Sequence, residues 1–117
     1  MSAPIPNSYT TYVRQCESSL AECRRCLATL APKTACYDAL RQCISALDTA
    51  VEMMQSNSKF TSRYLVDCAE VCQHASDCCE ACNDDNCRRC ARVLRSCIMV
   101  CRRASSVGME FGFVSNF

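Results

Sequence analysis

Glycine and proline are scarce in this chain: two Gly and three Pro in 117 residues, with Pro4, Pro6 and Gly112 near the ends. That scarcity argues against the loop-rich, disulfide-stapled scaffold in which short secreted chains usually carry dense cysteine. Long helices are favoured instead. Charge of one sign is also lacking, since 13 basic residues face 12 acidic ones. There is accordingly no electrostatic case for binding nucleic acid or an anionic membrane surface. No apolar run approaches the ~18 residues that a membrane-spanning helix needs. The first residues, Met-Ser-Ala-Pro-Ile-Pro-Asn, have neither a basic region nor an apolar core of the kind a secretory leader has. A cytoplasmic protein is expected, or an exported one if the chain is a trimmed mature form. In the cytosol thiols stay reduced, and clustered cysteines are more often metal ligands than disulfides.

The usual catalytic apparatus is missing as well. There is no Gly-rich phosphate loop. A single His leaves no Glu-x-x-His pairs for a di-iron bundle, and no Ser-His-Asp or Cys-His arrangement argues for catalysis. The expectation is a protein that is not an enzyme.

What the chain has is sulfur: fourteen cysteines, spaced mostly by three, four and seven. Residues so spaced share one face of an α-helix. The stripe that ordinarily carries Leu and Ile inward here carries thiols. Taken as small hydrophobes, one or two buried cysteines need no explanation. Fourteen on inward faces do, because each buries less apolar area than the Leu it displaces. A thiol-lined interior is instead a dense array of soft metal ligands.

Punctuation along the chain predicts four helices. Residues 1–7 read as a flexible arm. Ser8 is placed to cap a first helix to about residue 30. Pro32 or Thr34 opens a second, over about 33–55. After the polar Ser56-Asn57-Ser58-Lys59 break, a third covers about 61–82. The Asn83-Asp84-Asp85-Asn86 turn offers an Asp to cap a fourth, which Gly108 ends after about residue 106. Residues 107–117 form an apolar, aromatic tail. Short connections imply an all-α, antiparallel up-down-up-down four-helix bundle with a Cys-lined core, as one domain over 1–117. The alternative is helical hairpins that assemble only as a dimer.

On the first helix Cys16, Cys23 and Cys26 fall within an arc of roughly 80° at 100° per residue, beside Leu20, Leu27 and Leu30. Cys36 and Cys43 align with Leu40, Leu47, Ala50 and Met54 on the second. The third carries Cys68, Cys72, Cys79 and Cys82 in a narrow arc, with Cys78 at its margin. The fourth carries Cys87, Cys90, Cys97 and Cys101. About the 83–86 turn, Cys82, Cys79, Cys72 and Cys68 mirror Cys87, Cys90, Cys97 and Cys101 offset for offset, which predicts opposed pairs. Most thiols lie toward the end that holds the Pro32 and Asp84-Asp85 turns. Tyr9, Val13, Leu47, Met54, Phe60, Tyr64 and Leu65 gather at the other end, and the tail with Phe111, Phe113 and Phe117 is placed to fold over them. A thiol-filled half and a plugged apolar half are expected.

Three Cys-x-x-Cys pairs occur, Cys23/Cys26, Cys79/Cys82 and Cys87/Cys90. Zn(II) would need pairs from two helices to complete four ligands, and iron–sulfur spacings are absent. Cu(I) is soft and accepts low coordination. His74 lies off the helix-three stripe and reads as a surface residue, Met53 and Met54 as core filler, and Met99 as packing. Eleven of the thirteen basic residues are Arg, among them the pairs Arg24-Arg25, Arg88-Arg89 and Arg102-Arg103. They read as solvated faces, or else as guanidinium groups that lower nearby thiol pKa values.

With these stripes, short turns and the hairpin from Cys68-x3-Cys72 to Cys97-x3-Cys101, residues 8–106 resemble the bacterial copper storage proteins. The resemblance implies a bundle filled with multiple Cu(I) ions, held mainly by thiolate pairs from one or two helices, with the fourteen Cys as ligands. It also implies a homo-oligomer, a tetramer or dimer of bundles. Copper ions, with copper chaperones or exporters, are the expected partners. The expected role is copper storage, buffering or detoxification. The alternatives are a zinc or other soft-metal thiolate buffer on a helical scaffold, and a disulfide-rich structural or redox protein.

Overall fold

The computed structural model describes the backbone of residues 8–115 and the side chains of residues 8–107. The arm expected over 1–7 lies outside the described residues, as do the side chains of Phe111, Phe113 and Phe117. Four helices follow one another: α1 Thr10–Leu27, α2 Ala35–Ser56, α3 Thr61–Ala81 and α4 Asp85–Ser115. Each packs on two neighbours, α1 on α2, α2 on α3, α3 on α4 and α4 on α1, while among the described residues the backbones of the diagonal pairs stay apart and meet only through core side chains such as Cys36 and Cys87. This is the expected antiparallel four-helix ring. The α1/α2 and α3/α4 connections share one end of it.

Local chemistry sets the helix ends. Thr34 caps α2, its hydroxyl accepting the Tyr37 backbone N–H at 3.2 Å, and Asp38 sits in the first turn where its charge opposes the helix dipole. α2 stops where Asn57 turns left-handed, with φ 54°. Asp84 caps α4, accepting backbone N–H groups of Asn86 at 2.7 Å and Cys87 at 3.4 Å. Thr61 opens α3 by donating to the Ser58 carbonyl at 2.6 Å.

Three expectations need correction. Tyr9, not Ser8, holds the N-cap position of α1, and its ring is buried while Ser8 is exposed. Burial of the ring fixes the first turn where a hydroxyl cap was expected. α1 ends at Leu27 rather than near 30, because the chain tightens into i→i+3 bonds from Thr29 N to Cys26 O and Leu30 N to Leu27 O ahead of Pro32. α4 does not stop at Gly108 but continues as helix to Ser115. A glycine inside a helix costs only about 1 kcal/mol relative to Ala, and no proline follows to break the ladder. At 31 residues α4 is about 46 Å long. It outlasts the 21-residue α3 it packs on, which accounts for a 50 Å long axis beside 32 and 20 Å.

The core alternates sulfur with leucine. Leu20 lies between Cys16 and Cys23, Leu40 between Cys36 and Cys43, and Leu94 between Cys90 and Cys97, all buried. Ala39, Ala46, Ala50, Ala69, Ala75, Ala91 and Ala104 are buried too and let the helices close. The apolar end is present: Tyr9, Val13, Leu47, Met54 and Leu65 are buried and Tyr64 packs against them. Phe60 does not join it. It is 60% exposed, with the Lys59 ammonium 5.3 Å from its ring. Met99, expected to pack, is half exposed on the outer face of α4.

Leu40 bears no ligand atom and is fully buried between two thiols. Leu40→Ala should therefore destabilise the reduced metal-free protein by about 2–5 kcal/mol in urea denaturation. Thr34→Ala should cost only about 1 kcal/mol through the lost cap.

Candidate metal centre

All fourteen cysteines are free thiols. Twelve are buried, and Cys78 and Cys82 are half-buried. The fold packs the inward stripes of α1, α2, α3 and α4 against one another, so the thiols meet chiefly across helices.

Thirteen of the fourteen, all but Cys78, form one unbroken column. At the turn end the Cys82 thiol donates to Cys36 Sγ at 3.0 Å, and Cys36 donates to Cys79 at 3.6 Å. Cys36, Cys82 and Cys87 all lie within 4.8 Å of one another. Cys26 adjoins Cys87 and Cys90, and its thiol also donates to the Asn86 carbonyl at 3.7 Å. Cys90 adjoins Cys79 and Cys23, and Cys23 adjoins Cys43. Cys43 donates to Cys72 at 3.5 Å, leading to the far layer. There Cys16, Cys97 and Cys101 form a second trio within 4.8 Å, fully enclosed, with Cys68 and Cys72 beside it.

The mirror about the 83–86 turn is realised in full. Cys82 meets Cys87, Cys79 meets Cys90, Cys72 meets Cys97 and Cys68 meets Cys101. The Cys-x-x-Cys pairs find neighbours beyond their own helix. Their sulfurs reach across to other helices, Cys23 to Cys43 and Cys90, Cys26 to Cys87 and Cys90. A three-residue offset is about 60° of helix rotation, so the two sulfurs of a pair stay within reach of a common neighbour, Cys90 for Cys23 and Cys26 and Cys36 for Cys79 and Cys82.

Protons are shared unevenly along the column. Hydrogen bonds from Cys43 and Cys90 hold Cys23 down to about 5, and those from Cys101 and Cys72 hold Cys68 down to about 5. Cys79 is lowered by Cys90 and Cys97 by Cys101 in the same way. Their donors keep their own protons more tightly: Cys90, Cys72 and Cys43 are all raised, mainly by contact with neighbouring thiols. Burial raises Cys36 and pushes Cys87 up to about 12.

Guanidinium groups ring the turn end. Arg25 and Arg89 both pair with Glu22, a buried carboxylate that the Arg25 hydrogen bond holds below its usual range. Arg25 also donates to Asn86 Oδ1 at 2.9 Å, tying α1 to the start of α4. Its charge eases the ionisation of Cys26, although burial still leaves that thiol raised. Arg24 binds both oxygens of Asp48 at 2.9 Å and ties α1 to α2. Arg24, Arg25 and Arg89 are therefore chiefly braces on the outer faces.

His74 is exposed, as expected of a residue off the stripe. Its Nε2 nevertheless lies 3.8 Å from Cys78 Sγ. The two residues are four apart on α3, a spacing visible in the sequence, where His74 lies off the stripe and Cys78 at its margin. Met54 is core filler, fully buried.

A four-helix bundle whose interior is a connected thiol column is a soft-metal-binding protein by construction. The chain belongs to the copper storage protein family, whose profile, described as Csp: Copper storage protein, matches residues 5–106. Among curated proteins it is similar to the uncharacterized cysteine-rich protein YhjQ of Bacillus subtilis (strain 168), 24% identical over 96 residues that cover 77% of this chain and 89% of that one. Among solved structures it is similar to the Cu(I)-bound copper storage protein BsCsp3, with TM-score 0.74 and 23% identity, covering 81% of this chain and 95% of that one. Apo-Csp3 from Bacillus subtilis matches with TM-score 0.75 and 23% identity, covering 83% and 98%. These two likenesses establish the shared fold. Among the described residues no helix is long and apolar enough to cross a membrane.

Filling the column means expelling protons from thiols such as Cys87, held at about 12, and the raised Cys36, Cys43, Cys72 and Cys90. Each proton expelled per ion weakens apparent affinity about tenfold for every unit the pH falls. Competition titrations at a series of pH values should show that slope. An affinity flat with pH would mean that these thiols are not the ligands.

Proposed function

We propose that this protein stores Cu(I) in its interior and is not an enzyme, with Cys16, Cys23, Cys26, Cys36, Cys43, Cys68, Cys72, Cys79, Cys82, Cys87, Cys90, Cys97 and Cys101 as the core ligands and Cys78 as a peripheral one. The observation that carries the reading is the unbroken thiol column. Every sulfur in it has a neighbour close enough to share an ion, so no ligand has to be recruited from solvent. Thiolate sulfurs suit a soft monovalent ion that is content with two or three ligands. The two trios, Cys36/Cys82/Cys87 and Cys16/Cys97/Cys101, supply such sets ready-made.

Metal–sulfur bonds of about 2.3 Å put two sulfurs on one ion up to about 4.6 Å apart. The closest thiol pairs, at 3.0 to 3.6 Å, must therefore open slightly as ions enter. Thiol rotamers can supply that motion while the leucine spacers hold the helices. Ions arrive at the turn end, where half-buried Cys82 is the most accessible column sulfur. They move inward along the column toward the enclosed far trio. The proposed setting is the cytosol, the proposed state a homo-oligomer of bundles forming one domain per chain, and the proposed partners copper chaperones or exporters that deliver or remove the ion.

Anaerobic titration of the reduced protein followed by native mass measurement tests the reading. Uptake on the order of one Cu(I) per thiol, so about 14 per chain, is expected, because bridging sulfurs let low-coordinate ions approach that ratio. Loading should also raise the melting temperature, since the ions bind only the folded form. Uptake of only a few Cu(I) together with tight Zn(II) binding would replace this reading with a zinc buffer.

A further inference from the structure

Cys78 is the one thiol outside the column, and it has a partner of its own. His74 Nε2 lies 3.8 Å away across one helical turn, on the exposed face of α3. Continuing by the same step of four, Cys78 leads to Cys82, one of the groups that the Cys78 sulfur feels electrostatically. Cys82 in turn donates to Cys36 at 3.0 Å inside the turn-end trio. Residues four apart lie one above the other on a helix, with Cβ atoms about 5–6 Å apart. His74, Cys78 and Cys82 thus form a ladder of metal-binding side chains that starts in solvent and ends in the column.

The spacing of its outer rung suits an ion. Metal–nitrogen and metal–sulfur bonds of about 2.0 and 2.3 Å put N and S about 3.5 Å apart at a tetrahedral angle and about 4.3 Å apart in a line. The observed 3.8 Å falls inside that window without movement, whereas the core thiol pairs have to open. An imidazole is also a weaker ligand for a soft ion than a thiolate. The ion is therefore held less tightly outside than inside, which favours its onward passage.

We propose that His74 and Cys78 form a separate, solvent-facing copper site, the outer rung from which Cu(I) passes by way of Cys82 into the column. The proposal rests on the core being the copper store. At the outer rung Cu(I) exchanges one thiolate of an external donor for the Cys78 thiolate and another for the His74 ring nitrogen. The Cys78 proton passes to a departing donor thiolate. At the next step Cys82 takes the ion from His74 as it loses its own proton to water.

The test uses the full reduced chain and Cu(I) presented as its glutathione complex under anaerobic conditions. His74 is exposed and Cys78 only half-buried, so His74→Asn and the near-isosteric Cys78→Ser should leave the fold intact. Each variant should load about tenfold more slowly than the unaltered chain, yet its final copper count should fall by no more than one ion. His74 is the only histidine, so its ring resonances can be followed without ambiguity, and they should shift during the first additions of Cu(I). Unmoved ring resonances, or loading of both variants at the unaltered rate, overturn the proposal while leaving the store itself standing. An unaltered chain that takes up only a few ions removes the store, and the ladder with it.

Discussion

The interior of this bundle has to meet two demands that oppose each other. Helices must approach closely enough to exclude water, yet the sulfurs must keep room for ions. The structure divides the work by position. Leu20, Leu40 and Leu94, each flanked by cysteines a turn away on its own helix, set the spacing between helices. The buried alanines of α2, α3 and α4 keep that spacing small. A leucine does not change shape when an ion arrives, whereas a thiol needs only a χ1 rotation to move its sulfur. Apolar side chains thus hold the frame while sulfurs rearrange within it. A core of leucine alone would pack more tightly and hold nothing. One of sulfur alone would bury too little apolar surface to keep four helices together.

Proton placement follows from the same crowding. A lone buried thiol resists ionisation, because its thiolate loses the solvation of water. Here neighbouring thiols supply part of that solvation by donating hydrogen bonds, so Cys23, Cys68, Cys79 and Cys97 ionise readily while the donors around them hold on. The thiolate charges still feel one another, Cys97 opposing the ionisation of Cys23 and Cys68 and Cys23 that of Cys79. Guanidinium groups take little part. Arg25 and Arg89 are occupied by Glu22, and Arg24 by Asp48, so their main effect is to pin α1 to α4 and α2.

Most of this was legible in the sequence because one residue type marked the inward face of every helix. The 3-4-7 spacing marks all four stripes, and the mirror about the 83–86 turn marks the opposed pairs of α3 and α4. The end of α4 was not legible. Gly108 signals termination only where the helix has something better to do, and the next residues keep their backbone hydrogen bonds by continuing. The α1 cap was misassigned because a serine cap is a local signal, while Tyr9 is fixed by burial in a tertiary neighbourhood that a local reading does not see. The Cys-x-x-Cys motif is only part of the arrangement for a related reason. It identifies neighbours along one helix, but the sulfurs of a bundle choose their partners across helices, and that choice depends on register.

Register also explains why the column is directional. Both turns that join thiol-bearing helix ends, after α1 and after α3, fall at the same end, and only there do half-buried sulfurs occur. At the opposite end Val13, Leu47, Met54 and Leu65 fill the space between the helices, and Ser62 reaches across to the Ser105 carbonyl at 2.5 Å. An ion crossing that layer would exchange its thiolates for little more than the Met54 thioether among the described residues, at a desolvation cost. The cheapest route in or out therefore runs along sulfur. On the proposed route, an up-down-up-down topology with an apolar far end turns a set of equivalent thiols into a path with a beginning, whose innermost trio of Cys16, Cys97 and Cys101 is the last to fill and the last to empty.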